Sequence, residues 1–342
     1  MTNYFKGEKI SLSIENNPSQ DWNKLLLKSK WGTRYQTKEY AHYRRKILGD
    51  LPFFMKFHNK RNEIVGQLLL FQTRLGLKRL KKLFGDGWIF SISRKLSTST
   101  RRFQWAYGPV ILDNNYKKEV VDALGKFLIL KKYYFRGHAH PLDNLVFSNC
   151  FNFHETKNAT FIIDLSKSLD EIFHKAKKDS VRKNIKRAEE KGVTIHETNL
   201  GKDIIRHYEL LKEHRLRNNL IPPSKESVLE NYRLGKRTGL TGFMAVYNEK
   251  AVGSITMSAY NAYITEQGIT RSEIDIEKKL YSQDLLRWHI IKWGKKNNFR
   301  YYDLAGIKPE NRSKKEEGIF RNKAKWGGKL IEYPLFTNEV TK

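Results

Sequence analysis

The sequence predicts an α/β fold arranged as two lobes. The chain has 342 residues, more than one core of ordinary size accommodates. Short β-branched and aromatic runs alternate with stretches of helical apolar spacing, a mixture that calls for sheets flanked by helices. Late in the chain two strand-like runs, 241–247 and 251–260, are separated only by Asn248-Glu249-Lys250, which reads as a hairpin. A hydrophobic content of 39% supplies the cores, and 30% charged residues suits a folded chain rather than a disordered one.

The first lobe reads as helices over 21–28 and 38–48, followed by strands over 53–58, 64–73, 88–93 and 105–112. Val120, Val121, Leu124, Phe127 and Leu128 recur at helical spacing and predict a helix over 117–132. The polar, turn-forming stretch 137–144 with Pro141 is a candidate lobe boundary. The second lobe opens with a strand over 159–165 and a strongly basic helix over 169–191, closed by Gly192. A strand over 193–197, a helix over 203–218 and, beyond Pro222-Pro223, a helix over 225–233 lead into the hairpin. A strand over 262–268, a helix over 281–296 and a short strand over 301–304 complete the pattern.

Charge is the strongest compositional signal. Lys and Arg total 65 against 36 acids, a net +29, with a pI near 9.9. Such an excess favours an anionic partner such as nucleic acid, an anionic lipid surface or a phosphorylated metabolite. Its clusters are 78–82 with Arg74, Arg101-Arg102, and the basic helix. Spread over solvated faces, the same charge would carry no function. The lone Cys150 excludes an intrachain disulfide and a cysteine zinc cluster. No apolar run is long enough to span a bilayer, and the first residues lack the apolar core of a signal peptide, so a cytoplasmic location is expected. Nucleotide-loop, GxSxG and HExxH signatures do not occur. His138 and His140 are a weak metal pair, and no metal site is expected.

Four segments carry a resemblance. The first, Ser180-Val181-Arg182-Lys183-Asn184-Ile185-Lys186-Arg187-Ala188, leads to Lys191-Gly192-Val193. The second is Arg215-Leu216-Arg217-Asn218-Asn219-Leu220, and the third Tyr263-Ile264-Thr265-Glu266-Gln267-Gly268. The fourth and most specific pairs Tyr301-Tyr302-Asp303-Leu304-Ala305-Gly306 with Gly318-Ile319-Phe320-Arg321-Asn322-Lys323-Ala324-Lys325-Trp326-Gly327-Gly328. Together they resemble the FemAB/FemX family of peptidoglycan-bridge aminoacyltransferases, whose ending reads Y-D-x-x-G … G-x-x-x-F-K-x-x-F-G-G. The likeness is good over about 160–335 and loose before it. It implies two GNAT-like lobes, 1–157 with 319–342 on the acceptor side and 158–318 as the second.

The resemblance also implies a chemistry. An amine attacks the ester carbonyl of an aminoacyl-tRNA, which serves as co-substrate with no further cofactor, so positioning and oxyanion stabilisation suffice. The family lysine falls on Lys323, preceded here by Asn322 in place of an aromatic residue. Arg217 falls on the family arginine that reads an anionic part of the acceptor, and its fork suits phosphate or carboxylate. Tyr263 and Glu266 border the family's cleft and could orient an amine. Lys38 and Arg44 could bind acceptor phosphate. Arg182, Lys183, Lys186 and Arg187 could follow tRNA phosphates. The implied acceptor is an amine-bearing cell-envelope precursor, with the inner membrane surface as a place to meet it. Each of these residues also has a plain structural reading: solvated bases for the lysines and arginines, and core packing for Tyr263. Asp303 reads first as a carboxylate that satisfies loop donors before Gly306.

Two other functions compete. A GNAT-type N-acyltransferase would hold acyl-CoA pyrophosphate on a Gly-rich loop at a helix N-terminus. The expected position, 269–279, lacks such a loop. A non-enzymatic basic module binding nucleic acid or an anionic surface is the other.

Overall fold

The computed structural model describes residues 2–6, 9–74, 101–131, 133–145, 154–198 and 201–338. The strand expected over 88–93, the lysines of 78–82 and Cys150 lie outside them. The chain divides into two compact units, Met1–Lys157 with Tyr333–Lys342, and Asn158–Glu332.

In the first unit β1 (Thr2–Lys6), β2 (Ile10–Glu15), β3 (Leu51–Asn59), β4 (Ile64–Arg74) and β5 (Arg101–Trp105) pair antiparallel in that order. The short β6 (Val110–Ile111) adds to β4. Helices α1 (Trp22–Lys28) and α2 (Lys38–Tyr43) lie between β2 and β3 in the sequence, and α3 (Lys117–Lys131) crosses from β5 to its parallel neighbour β7 (Tyr134–His138). Val120, Leu124 and Phe127 on one face of α3 bury against Leu12, Phe57, Leu68 and Phe103 of the sheet. This is the amphipathic stripe that the spacing predicts.

The second unit uses β8 (His154–Asp164), β9 (Thr194–Glu197), β10 (Leu240–Tyr247), β11 (Lys250–Tyr260), β12 (Tyr263–Arg271) and β13 (Tyr301–Ile307). Strands β9, β10, β11 and β12 form an antiparallel run; β12 pairs in parallel with β13, and β13 antiparallel with β8. Its helices are α4 (Leu169–Lys175), α5 (Lys183–Glu190), α6 (Lys202–Arg217), α7 (Lys225–Gly235), α8 (Glu273–Glu277), α9 (Ser282–Lys296) and α10 (Lys314–Ala324). The chain ends in β14 (Lys329–Thr337), whose last residues pair with β7. The two units therefore repeat one plan: a run of antiparallel strands (five in the first unit, four in the second), a helical crossover (α3 or α9) to a parallel strand (β7 or β13), and an antiparallel strand beyond it (β14 or β8). The expected α/β class with mixed sheets flanked by helices is the class the chain adopts.

Several elements differ from expectation. The chain passes into the first unit at Glu332–Tyr333, not at 319. Residues 319–332 stay with the second unit because Trp326 is buried in its core and Lys323 bonds to β13. The single basic helix over 169–191 is broken. Ala176 is extended, the Lys177 amide donates to the Lys325 carbonyl at 2.8 Å, and a π-type turn precedes α5. Tertiary hydrogen bonding wins over helix propensity there. Gly192 ends α5 with φ +79°, as a C-terminal cap requires. Residues 105–112 do not form one strand, because Tyr107 adopts φ +53° and the Trp105 indole donates to the Gly108 carbonyl at 2.9 Å. The stretch 137–144 is no boundary, since Ala139 and His140 are buried within the first unit. Helix α10 and strands β1 and β2 were not expected from the pattern.

Candidate functional site

The parallel pairing of β12 and β13 is short: Tyr263, Ile264 and Thr265 face Tyr301, Tyr302 and Asp303. Beyond it β13 bulges. Its register with β8 shifts between Asp303 and Gly306, and Ala305 takes φ +64°. Asp303 pins this bulge. One carboxylate oxygen accepts the Ala305 amide at 2.8 Å and the Thr160 hydroxyl, and the other accepts the Tyr263 hydroxyl at 2.7 Å. Burial pushes the Asp303 carboxyl above its usual range, against the pull of the Thr160 and Tyr263 bonds. Its reading as a carboxylate serving loop donors is the arrangement seen.

Lys323 comes to this bulge from α10, whose start is fixed by a capping box between Ser313 and Glu316. The side chain is inside, with the residue 8% exposed, and its ammonium donates to the Ala305 and Gly306 carbonyls at 3.0 and 3.2 Å. These use two of its three N–H groups. Burial lowers the Lys323 pKa from 10.5; Glu266 and Asp303 oppose the shift and Arg287 adds to it.

Next to Lys323 lies a buried ion pair. Arg287 on α9 donates through Nε and Nη2 to the two oxygens of Glu266 on β12, at 2.8 and 3.2 Å. The Tyr302 hydroxyl adds a bond of 2.5 Å to the first of these oxygens. The Nη1 of Arg287 donates to Asn322 Oδ1 at 2.7 Å, one residue before Lys323. Burial opposes the Arg287 charge, but Glu266 outweighs it and holds the guanidinium above its usual pKa. Burial, and then Glu266, raise the Tyr302 phenol well above its own. A neutral phenol, a paired carboxylate and two cations thus surround the β13 bulge.

No protein-family model matches the sequence, and no curated protein matches it. Solved structures do. A crystal structure of FemX superposes with a TM-score of 0.70 at 10% identity, covering 94% of this chain and 96% of that one. The fold is FemX-like. L-PGS from Bacillus licheniformis superposes with a TM-score of 0.59 at 13% identity, covering 95% of this chain and 93% of the other. A tandem GNAT protein from the clavulanic acid biosynthesis pathway reaches 0.55 at 9% identity, covering 97% and 99%. The fold is thus similar to a tandem GNAT fold as well as FemX-like.

Within this FemX-like fold the candidate residues separate into groups. Lys323, Glu266 and Tyr263 come together around the β13 bulge, with Glu266 and Tyr263 held by internal partners. Arg217 ends α6, where it donates to Glu213 at 3.0 Å and to the Arg271 carbonyl at 2.6 Å. Of the basic run, Arg182 lies in the turn before α5 with Nη1 at 3.3 Å from His174. Lys183 and Lys186 are exposed and pair with Asp179 and Glu190. Arg187 is exposed and lies over the Tyr281 ring at 5.9 Å. In the first unit Lys38 is half-buried at the start of α2, while Arg44 is clamped by Asp50 and lies over the Phe71 ring. Arg44 is thus engaged in packing α2 onto β4. His138 and His140 serve packing too, the first against Tyr107 and the second stacked on Trp31 at 4.8 Å.

Arg287, Tyr302, Asn322 and Thr160 were not singled out from the sequence as site residues. A signal for Arg287 existed: it interrupts the buried stripe Leu285, Leu286, Ile290, Ile291 of α9, and a charge on such a face needs a buried partner. The N-terminus of α9 is also occupied. Tyr281 stands there at φ +57°, the Ser282 amide donates to the buried Asp275 at 2.9 Å, and Asp284 in the first turn binds Lys325 and Asn184. A groove of about 540 Å³ lies elsewhere, along α6, between Ile205, Leu210, Leu216 and Ala251.

Proposed function

We propose that this chain transfers an aminoacyl group from aminoacyl-tRNA to the amine of a cell-envelope precursor of the peptidoglycan type. The observation that carries the reading is the buried Lys323 ammonium, held by the two carbonyls of the β13 bulge. In this reaction the neutral acceptor amine attacks the ester carbonyl, and an N–C bond forms as the carbonyl oxygen takes negative charge. The remaining N–H of Lys323 donates to that oxygen and stays protonated. The intermediate collapses by breaking the C–O bond to the tRNA ribose, and the proton lost by the amine leaves on that ribose oxygen. Arg287 and Glu266 hold the turn that carries Lys323 through Asn322, so the donor is preorganised. Arg217 would take an anionic part of the acceptor, and the basic residues Arg182, Lys183, Lys186 and Arg187 the tRNA phosphates.

The N-terminus of α9 favours this donor over acyl-CoA. Pyrophosphate binds well where backbone amides are free and the helix dipole is unopposed. Here Asp275 already holds the Ser282 amide and Asp284 adds a second carboxylate.

The test is transfer from a panel of radiolabelled aminoacyl-tRNAs to amine acceptors, among them peptidoglycan precursors, beside the same acceptors with acetyl-CoA. Labelled product from aminoacyl-tRNA alone supports the reading. Product from acetyl-CoA alone, or from neither donor, overturns it.

A further inference from the structure

The connection between α6 and α7 carries a second surface feature. Helix α6 ends in Arg217, and Asn219 turns the chain at φ +55° while the Leu220 amide returns to the Arg215 carbonyl at 2.8 Å. The Asn218 side chain caps the His214 carbonyl at 2.8 Å. Pro222 and Pro223 stiffen the exit, and Ser224 caps α7 by accepting the Ser227 amide at 3.2 Å. On this pinned tip the aliphatic side chains face water. Ile221 is 67% exposed and Leu216 55%, and Leu220 is exposed with them. Leu216 also lines the groove along α6, where Ile205, three turns back on the same face, is exposed as well. Arg206, Lys212, Arg215, Arg217 and Lys225 flank the row; Glu209, Glu213 and Glu226 are the acids among them, with Arg206 paired to Asp203 and Glu213 spent on Arg217 and the Glu273 amide.

We propose that this tip is a docking site for an anionic lipid bilayer, with Leu216, Leu220 and Ile221 entering the headgroup–acyl boundary and the basic residues meeting the headgroups. Large aliphatic side chains exposed singly are ordinary, but a contiguous patch marks an interaction surface, and here three stand together on backbone that is already ordered. Little entropy is then lost on insertion. Charge complementarity selects the lipid: apolar side chains among Lys and Arg match anionic interfaces. The same face carries no exposed aromatic ring on this tip for bases to stack on, which separates it from a single-stranded nucleic-acid platform. The site lies directly beside Arg217, so docking would bring that arginine to lipid-linked anions.

Vesicle sedimentation of the full chain tests this without any transfer assay, so it stands or falls independently of the enzymatic reading. The probes are phosphatidylcholine vesicles with and without phosphatidylglycerol. The wild type binds only the anionic vesicles, and Leu220→Ser/Ile221→Ser weakens that binding at least ~10-fold with an unchanged melting curve. Ile221→Phe keeps it, and Lys225→Glu weakens it. Absence of wild-type binding, equal binding by the double serine variant, or tRNA displacing the chain from vesicles with the serine variant unaffected would each overturn the proposal.

Discussion

At the scale of single residues the proposed transfer rests on the state of one ammonium group. Lys323 sits inside the protein with carbonyls as its partners, and burial draws its pKa below 10.5. Lys323→Met removes the proposed oxyanion donor together with its bonds to the Ala305 and Gly306 carbonyls, so transfer falls at least ~10-fold while the protein, less stable by about 1–3 kcal/mol, still folds. Unchanged turnover would take Lys323 out of the mechanism. The pH profile carries a second outcome. A cation with a lowered pKa is lost earlier as pH rises, so activity falls on the alkaline side below the range of a free lysine. Lys323→Arg stays charged throughout, and whatever activity it keeps shows no such falling limb. An alkaline limb that survives in the arginine variant would assign it to another group.

At the scale of elements, α9, α10 and β12 are joined by a pair that is costly to break. Arg287 and Glu266 are buried together, and removing one partner strands the other charge. Arg287→Met is expected to destabilise the second unit by about 3–5 kcal/mol, and Arg287→Met/Glu266→Gln to recover part of it, read by urea unfolding. Equal losses in the single and double variants would show that the charges are not coupled. The segment after α10 depends on Gly327. It adopts φ +69°, and a Cβ there would lie 2.6 Å from the Lys175 carbonyl oxygen. Gly327→Ala thus combines a strained backbone with a backbone clash at the break between α4 and α5, and costs more than about 1 kcal/mol. A neutral result would mean that the break relaxes freely. The helix over 169–191 that periodicity predicts fails at this place. Its hydrophobic spacing is real, but spacing carries no information about the Lys325 carbonyl that captures the Lys177 amide.

At the scale of the whole molecule, two units repeat one strand plan and each buries a histidine. Burial holds His140 in the first unit near a pKa of about 3 and His207 in the second near about 4, against 6.5 for a free ring. Between those values the unfolded chain binds more protons than the folded one, so stability falls as pH drops from about 6.5 toward 4, by up to ~1.4 kcal/mol per pH unit for each histidine. Urea midpoints at pH 7 and pH 5 measure this, and His207→Gln should flatten the response of the second unit alone; the same slope with and without His207 would refute its part. The sequence alone determined the α/β class, the hairpin at 250, the Gly192 cap and the basic surplus. Each of these is written in the spacing of near neighbours, where turn chemistry and side-chain period act. Only the tertiary structure decided what those residues face: Thr160 against Asp303, 143 positions apart, Glu266 against Arg287, and α10 against the bulge of β13. Periodicity tells which face of an element is buried. It cannot tell what that face is buried against, because partner choice is made by packing and hydrogen-bond satisfaction across long loops.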